Sequence, residues 1–332
     1  MDQRAAHLIV TVANLYYLQD RTQAQIAERM RISRPHVSRL LKRARQEGIV
    51  AISVRSPFAH APELARELSD LFPLRDALIV PSGEATPVRV AEAAAAYLAS
   101  CLRRGAVIGV SWGRTVLLVA DSLPDSARRR IEVVPLVGGM GPVGDEIHAN
   151  EIARRTALRV GGRYFVLNAP ALAESPRAHA SLVRDPAIRA ILERAKRADV
   201  ALVGIGGMVA GSTLVKSGYL QLDQLRRLTA AGAVGDICSR FFCRDGSLCP
   251  SPMNSRVVGI ELTDLCKVPW VVAVAVGGEK AAAILGALRG GYINVLVTDE
   301  ATVRLVLRLA RSEPADPRTS QPKDVSRAVS AA

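Results

Sequence analysis

RISRPHVSRLLKRARQEG, residues 31–48, sets the reading of the whole chain. Val37, Leu40, Leu41 and Ala44 recur at i, i+3, i+4 and i+7, the single apolar stripe of an α-helix. The other faces carry Arg34, His36, Ser38, Arg39, Lys42, Arg43 and Arg45. Ser33 stands at the N-cap position, and Pro35 falls in the first turn, where a missing N–H costs no hydrogen bond. Gly48 supplies a left-handed stop past the end. Upstream, Gln23 to Met30 predicts a shorter helix with Ile26, Ala27 and Met30 inward, opened by a Thr22/Gln25 capping box. Two helices joined by the tight Arg31-Ile32-Ser33 connection, the second long and basic, predict a helix-turn-helix. Gln23, Ser33, Arg34, His36, Ser38, Arg39, Lys42 and Arg43 are then the candidate contacts to double-stranded operator DNA. A solvated amphipathic helix could carry the same charges. The caps, the turn length and the Ser-Arg-Pro start favour the DNA reader.

Composition points the same way. The chain has 332 residues, room for two domains, and 49% hydrophobic residues, enough for a substantial core. Formal net charge is +13, which favours polyanionic partners. Residues 1–57 hold ten Lys/Arg against four Asp/Glu, so the excess is concentrated where the helix-turn-helix lies. No apolar run is long enough, and free enough of charge and glycine, to span a membrane. MDQRAAHLIV at the start lacks the order of a signal peptide. Five cysteines do not suggest a disulfide framework, so a cytoplasmic setting is expected.

In chain order, residues 3–18 predict a first helix that covers the back of the helix-turn-helix pair. IVAISVR after Gly48 reads as a short strand, and Ser56-Pro57 and Ala61-Pro62 punctuate a linker. A helix from about Pro62 to Phe72 leads into a second domain. From Leu78 short apolar runs alternate with helical stretches. The runs are 78–81, 106–110, 132–137, 164–169, 201–206, 257–262, 271–276 and 293–299, with helices such as 88–103, 145–160 and 279–289 between. Near-continuous apolar runs are what strands buried on both faces require. The fold class expected is therefore an N-terminal all-α helix-turn-helix domain over 1–57, then a doubly wound, mostly parallel α/β domain over 58–315. The tail, 316–332, has little to pack and is expected to be disordered.

Glycine-bearing loops follow several strand ends, where open α/β sheets bind ligands. They are GVSWGRT (109–115), VGGMG (137–141), GIGGMVAGST (204–213) and AVGGEKAAA (275–283). Lys280 at a helix start opposes the helix dipole unless an anion sits there too. Three such turns with Lys280 predict a phosphate site. Residues 204–209 do not complete a dinucleotide fingerprint, because Val209 stands where the third glycine belongs, and no P-loop is present. No cofactor is expected.

SRPHVSRLLKRARQEGIV, SWGRT, VVPLVGG, LVGIGG, GAVGDICSRFF, RVVGIEL and GGEKAAAILGALRGGYINVLVTDE, in that order, resemble the SorC family of bacterial transcriptional regulators. The resemblance covers nearly all of the chain except the tail. It implies a helix-turn-helix joined to an effector domain similar to sugar-phosphate isomerases and glucosamine-6-phosphate deaminases. It further implies a phosphorylated sugar as effector, a tetramer, and control of a carbohydrate operon. Carried over by motif, Gly113, Arg114 and Thr115 contact phosphate with Lys280 opposite, and Asp236 binds sugar hydroxyls. Gly138, His148 and Ser212 lie in matching loops. Cys243 departs from the pattern, which often has an acidic residue after the position of Phe242.

Cys238, Cys243 and Cys249 fall close together, but without CxxC spacing or a nearby His they read as ordinary thiols rather than a metal site. His148 is either a ligand contact or a helix-surface residue. Trp112 and Trp270 read as core. The rival to a sensor is an isomerase or deaminase carrying a DNA-binding domain, which would need a general base and a ring-opening acid. The stretch GMVAGST offers neither Asp nor His, so no enzyme is expected.

Overall fold

The computed structural model describes residues 3–19, 21–47, 49–50, 61–125, 130–139, 147–216 and 218–312. The chain divides into two compact units, Met1–Ser56 and Pro57–Ala332.

The first unit contains α1 (Gln3–Tyr17), α2 (Gln23–Met30) and α3 (Arg34–Gln46). The capping box forms at α2: Thr22 Oγ1 accepts from Gln25 N at 3.3 Å, and Thr22 N donates to Gln25 Oε1 at 3.0 Å. The helix stops at Arg31, which adopts the left-handed conformation (φ 53°) and donates to Glu28 O, while Ile32 N reaches Ala27 O. Ser33 Oγ accepts from His36 N at 3.3 Å and opens α3. Val37, Leu40, Leu41 and Ala44 are buried, together with Ile9, Val12, Leu15 and Ile26. One apolar stripe per helix thus builds the core of this unit. The expected strand after Gly48 and the linker fall mostly on 51–60, and the tail on 313–332; these segments lie outside the described residues, as does Gly48.

The second unit runs in order α4 (Pro62–Leu71), β1 (Asp76–Val80), α5 (Thr86–Cys101), β2 (Val107–Val110), α6 (Arg114–Ser122), β3 (Glu132–Pro135), α7 (Ala149–Val160) and β4 (Arg163–Tyr164). It continues with α8 (Pro176–Arg184), α9 (Pro186–Lys196), β5 (Val200–Gly204), β6 (Gly206–Gly207), α10 (Thr213–Lys216), α11 (Leu222–Ala230), β7 (Ala233–Ile237) and β8 (Arg240–Cys243). The last elements are α12 (Leu262–Leu265), β9 (Trp270–Val274), α13 (Ala281–Arg289), β10 (Val295–Asp299) and α14 (Glu300–Ser312). Seven strands form one sheet in the order β1-β10-β9-β5-β2-β3-β4, with every pairing parallel. Side chains alternate across it. Leu78, Val80, Val200, Leu202, Val272 and Val274 enter one core with α5, α6 and α7; Ala77, Ile79, Ala201, Val203, Val271 and Ala273 enter the other with α13 and α14. Both faces are covered, as a parallel sheet demands.

Three features differ from the expectation. The run at 257–262 is not a strand and makes only isolated bridges, Val257 to Leu172 and Gly259 to Val137. Its carbonyls are taken by a side chain: the buried Arg240 guanidinium donates to Val257 O, Gly259 O and Ile260 O, and pairs with Glu261. The run at 164–169 shrinks to the two-residue edge strand β4. Beyond it Asn150 supplies the ladder bonds, its Oδ1 accepting from Leu167 N and its Nδ2 donating to Leu167 O. Finally, β6, β7 and β8 form a separate antiparallel sheet. Its β7–β8 turn is built on Cys238 and Ser239, both at positive φ (52° and 64°), the geometry that normally selects Gly or Asn. No described helix is long and apolar enough to cross a membrane.

Candidate functional site

The ends of β2, β5 and β9 and the β7–β8 turn enclose a cavity of about 250 Å³. After β2 the chain turns at Ser111, whose N–H donates to Leu202 O and whose Oγ accepts from Gly204 N at 3.1 Å. These bonds tie the ends of β2 and β5 together. Gly113, at φ 127°, then redirects the backbone into α6, so that Arg114, Thr115 and Val116 open on the cavity. The first N–H groups of a helix have no intrahelical partner, and the helix dipole places positive potential there. That end of the cavity carries the positive potential of a helix N-terminus.

The opposite wall depends on glycine. A Cβ on Gly206 would overlap Asp236 Oδ1, and one on Gly235 would overlap Ala283 Cβ. Absence of side chains lets β6, β7 and α13 close up and brings the Asp236 carboxyl to the cavity wall. Asp236 is 3% exposed. Its Oδ2 accepts from Ser239 N at 3.1 Å, a bond made possible by the left-handed turn. Its Oδ1 is buried and has no partner among the described residues, and neither does Ser212 Oγ across the cavity. Burial pushes the Asp236 carboxyl up to about 7; the Ser239 bond and the Lys280 charge only partly oppose this. Lys280 closes the 3₁₀ turn Gly278–Lys280, which is held by Gly277 N donating to Thr302 Oγ1 at 3.1 Å. Burial lowers its ammonium below the usual lysine range, against the raising effect of Glu279 and Asp236. Among the described residues no ion pair joins Lys280 to Asp236.

A buried carboxyl with a raised pKa costs stability on the alkaline side. The folded state binds the proton below about 7, whereas the unfolded carboxyl loses it near 3.8. Stability therefore falls as pH rises from about 4 to about 7 and stays lowered above that. Asp236→Asn is expected to stabilise the ligand-free protein at pH 8 by on the order of 1–3 kcal/mol. The gain should vanish near pH 4. Thermal melts of both proteins across this range check it, and equal melting at pH 8 would contradict a neutralised carboxyl.

Of the eight effector residues named from sequence, Gly113, Arg114, Thr115, Ser212, Asp236 and Lys280 line the cavity. Gly138 does not. Its N–H donates to Val258 O, and a Cβ there would overlap Ala169 O and the Pro170 carbonyl, so this glycine serves close packing. His148 lies just before α7, outside the lining, with Nε2 buried and unpartnered among the described residues. Its neighbours 140–146 lie outside the described residues. Two further lining residues differ from the sequence expectation. Trp112 is buried as a core residue would be, yet it faces the cavity, with Tyr219 at 6.5 Å between ring centroids. Cys238 belongs to the cavity wall rather than to the pair formed by Cys243 and Cys249. Their position beside Gly113 and Asp236 was the available signal. No group of three or more His, Cys, Asp or Glu suited to a metal ion occurs among the described residues.

In the first unit, Ser33, Arg34, Ser38, Arg39, Lys42 and Arg43 are exposed, and His36 and Gln23 are half-buried. Arg43 also pairs with Glu47 at 2.6 Å. Gln23 and Arg34 share a shallow groove with Tyr16, Tyr17 and Arg21.

Comparison with known proteins accounts for both units. The family model "Putative sugar-binding domain" matches residues 56–308, and the model "Sigma-70, region 4" matches residues 11–47. The sorbitol operon regulator of Klebsiella pneumoniae is 34% identical over 307 residues, covering 91% of this chain and 98% of its own. The chain belongs to the SorC family of transcriptional regulators. A second relative, the deoxyribonucleoside regulator of Bacillus subtilis, is 34% identical over 313 residues, 92% of this chain and 99% of its own. The crystal structure of the full-length sorbitol operon regulator SorC matches with a TM-score of 0.70 at 35% identity, over 91% of this chain and 98% of that one. SorC-family membership supplies a DNA-binding helix-turn-helix followed by a sugar-binding α/β domain.

Proposed function

We propose that this regulator controls a carbohydrate-metabolism operon and that a phosphorylated sugar, bound in the cavity at the strand ends, sets its affinity for operator DNA. One observation carries the reading. The cavity joins a helix N-terminus with Arg114 and Lys280 to a buried, unpartnered carboxyl oxygen on Asp236. The cationic part suits a phosphate, and Asp236 Oδ1 and Ser212 Oγ suit sugar hydroxyls. In keeping with this, relatives carry the names sorbitol operon regulator and deoxyribonucleoside regulator. Domain 58–315 would bind the effector and assemble the oligomer, domain 1–57 would bind DNA, and binding would act by shifting the subunit arrangement.

The site also bears on the enzyme reading. A carboxyl near 7 is what general acid–base chemistry uses, and Asp236 has that property. A ring-opening reaction needs a second positioned acid; the other carboxyl in the lining, Glu279, acts on the Lys280 charge, and His148 stands outside the lining. We read Asp236 as a binding group.

Thermal-shift screening of the full chain against phosphorylated sugars and their unphosphorylated parents tests the proposal. A phosphorylated sugar should raise the melting temperature and change operator affinity at the same concentration, while its parent does neither. Equal stabilisation by the parent sugar would remove the phosphate site. Assembly is tested separately: a lone helix-turn-helix binds weakly, so light scattering at micromolar concentration should give about four times the 35.5 kDa chain mass. A monomer with and without DNA would contradict the tetramer.

A further inference from the structure

Away from the cavity, two sulfurs converge on one atom. Cys243 ends β8, and Cys249 lies beyond a tight turn at Asp245-Gly246. Phe242 bridges to Leu248, Cys243 N donates to Ser247 O at 2.8 Å, and Cys249 N donates to Phe241 O at 3.0 Å. In that antiparallel register the two cysteines are diagonal neighbours on one face of the hairpin. Both thiols point at the Ala231 carbonyl, Cys243 Sγ at 3.9 Å and Cys249 Sγ at 3.7 Å. The hairpin is held firmly. Asp245 Oδ1 accepts from Ser247 N and Oγ, Tyr292 donates its hydroxyl to Gly246 O, and a Cβ on Gly246 would overlap the Gly290 backbone. The approach of the two sulfurs is therefore set before any reaction.

We propose that Cys243 and Cys249 are a modification site, a dithiol that peroxide converts reversibly to an intramolecular disulfide. Exposure sets the order of events: Cys243 is half-buried and reachable, whereas Cys249 is 2% exposed. Cys243 sulfur, as thiolate, attacks a peroxide oxygen; the O–O bond breaks, and hydroxide leaves and is protonated to water. The resulting sulfenic acid is then attacked by Cys249 sulfur. The S–O bond breaks, the S–S bond forms, and the departing hydroxide takes the Cys249 proton as a second water. Two thiols lose two electrons and two protons, and hydrogen peroxide is reduced to two waters. Burial pushes the Cys249 thiol up to about 11, which keeps it protonated and inert until the sulfenic sulfur forms beside it. Closure also removes both S–H donors from Ala231 O, at the corner between α11 and β7.

The sequence makes the test direct. Trypsin cuts after Arg240, Arg244 and Arg256, placing Cys243 in FFCR and Cys249 in DGSLCPSPMNSR. Full-length protein is treated with graded hydrogen peroxide, alkylated, digested without reductant and read by mass spectrometry. The expected result is a linked FFCR–DGSLCPSPMNSR pair that disappears with dithiothreitol, while Cys101 and Cys238 remain alkylated. Cys249→Ser should leave a Cys243 sulfenic acid that dimedone traps, and Cys243→Ser should leave Cys249 unoxidised. Unlinked peptides at a peroxide level that already oxidises the exposed Cys266 would overturn the proposal. So would a disulfide from either cysteine to any other.

Discussion

Replacing Arg34 and Arg39 together by Ala is expected to abolish specific operator binding while leaving the protein folded. Both side chains are exposed, one at the first position of α3 and one a turn and a half further on, so neither contributes to the Val37–Leu40–Leu41–Ala44 core. Each lost base contact costs about 1–3 kcal/mol, roughly 5–150-fold in affinity, and the loss repeats in every protomer that touches the operator. Stability should hold or rise slightly, since Arg34 places positive charge at the positive end of a helix. Lys42→Ala is the contrasting variant. A phosphate contact there lowers affinity across all sequences and reduces the salt slope by about 1 per contact, without relaxing sequence preference. Fluorescence anisotropy on operator and scrambled DNA, over a salt series, separates the two behaviours. Wild-type operator affinity in folded Arg34→Ala/Arg39→Ala protein would remove α3 from the reader's role.

The second large effect belongs to Lys280. Lys280→Ala is expected to weaken effector binding roughly 10–150-fold, the worth of a charge-assisted hydrogen bond to phosphate, with operator binding intact. Lys280 is half-buried as a residue, and burial of its ammonium holds the pKa below the usual lysine range. Without effector its removal should therefore leave the melting temperature unchanged or higher. Asp236→Ala should also lose the response, and Asp236→Asn should keep part of it, because an amide still hydrogen-bonds hydroxyls. If the two residues existed to stabilise each other or to cap helices, both variants would melt lower and ligand response would not be selectively lost. Melting temperature and effector titration on the same proteins decide between these outcomes. A normal response in stably folded Lys280→Ala protein would rule out the phosphate site as drawn.

What the sequence by itself determined are the features whose causes lie within a few residues. The helix-turn-helix follows from an apolar stripe of period 3.6 and from caps whose donor and acceptor are three residues apart, Thr22 with Gln25 and Ser33 with His36. The parallel sheet follows because strands buried on both faces must be apolar almost throughout. The membership of Gly113, Arg114, Thr115 and Lys280 in one cavity came through motif order, read from loops that each follow a strand end. Tertiary structure decided the rest. Residues 257–262 look like a strand but are not one, because Arg240, distant in sequence, takes their carbonyls. The glycines Gly138 and Gly206 look alike in sequence; one packs against Pro170 and the other makes room for Asp236. Cys238 separates from Cys243 and Cys249 because it stands in the glycine-free β7–β8 turn, which places it on the cavity wall. The near-neutral pKa of Asp236 is likewise a product of burial by β6 and α13, and burial is created only when segments far apart in the chain pack together.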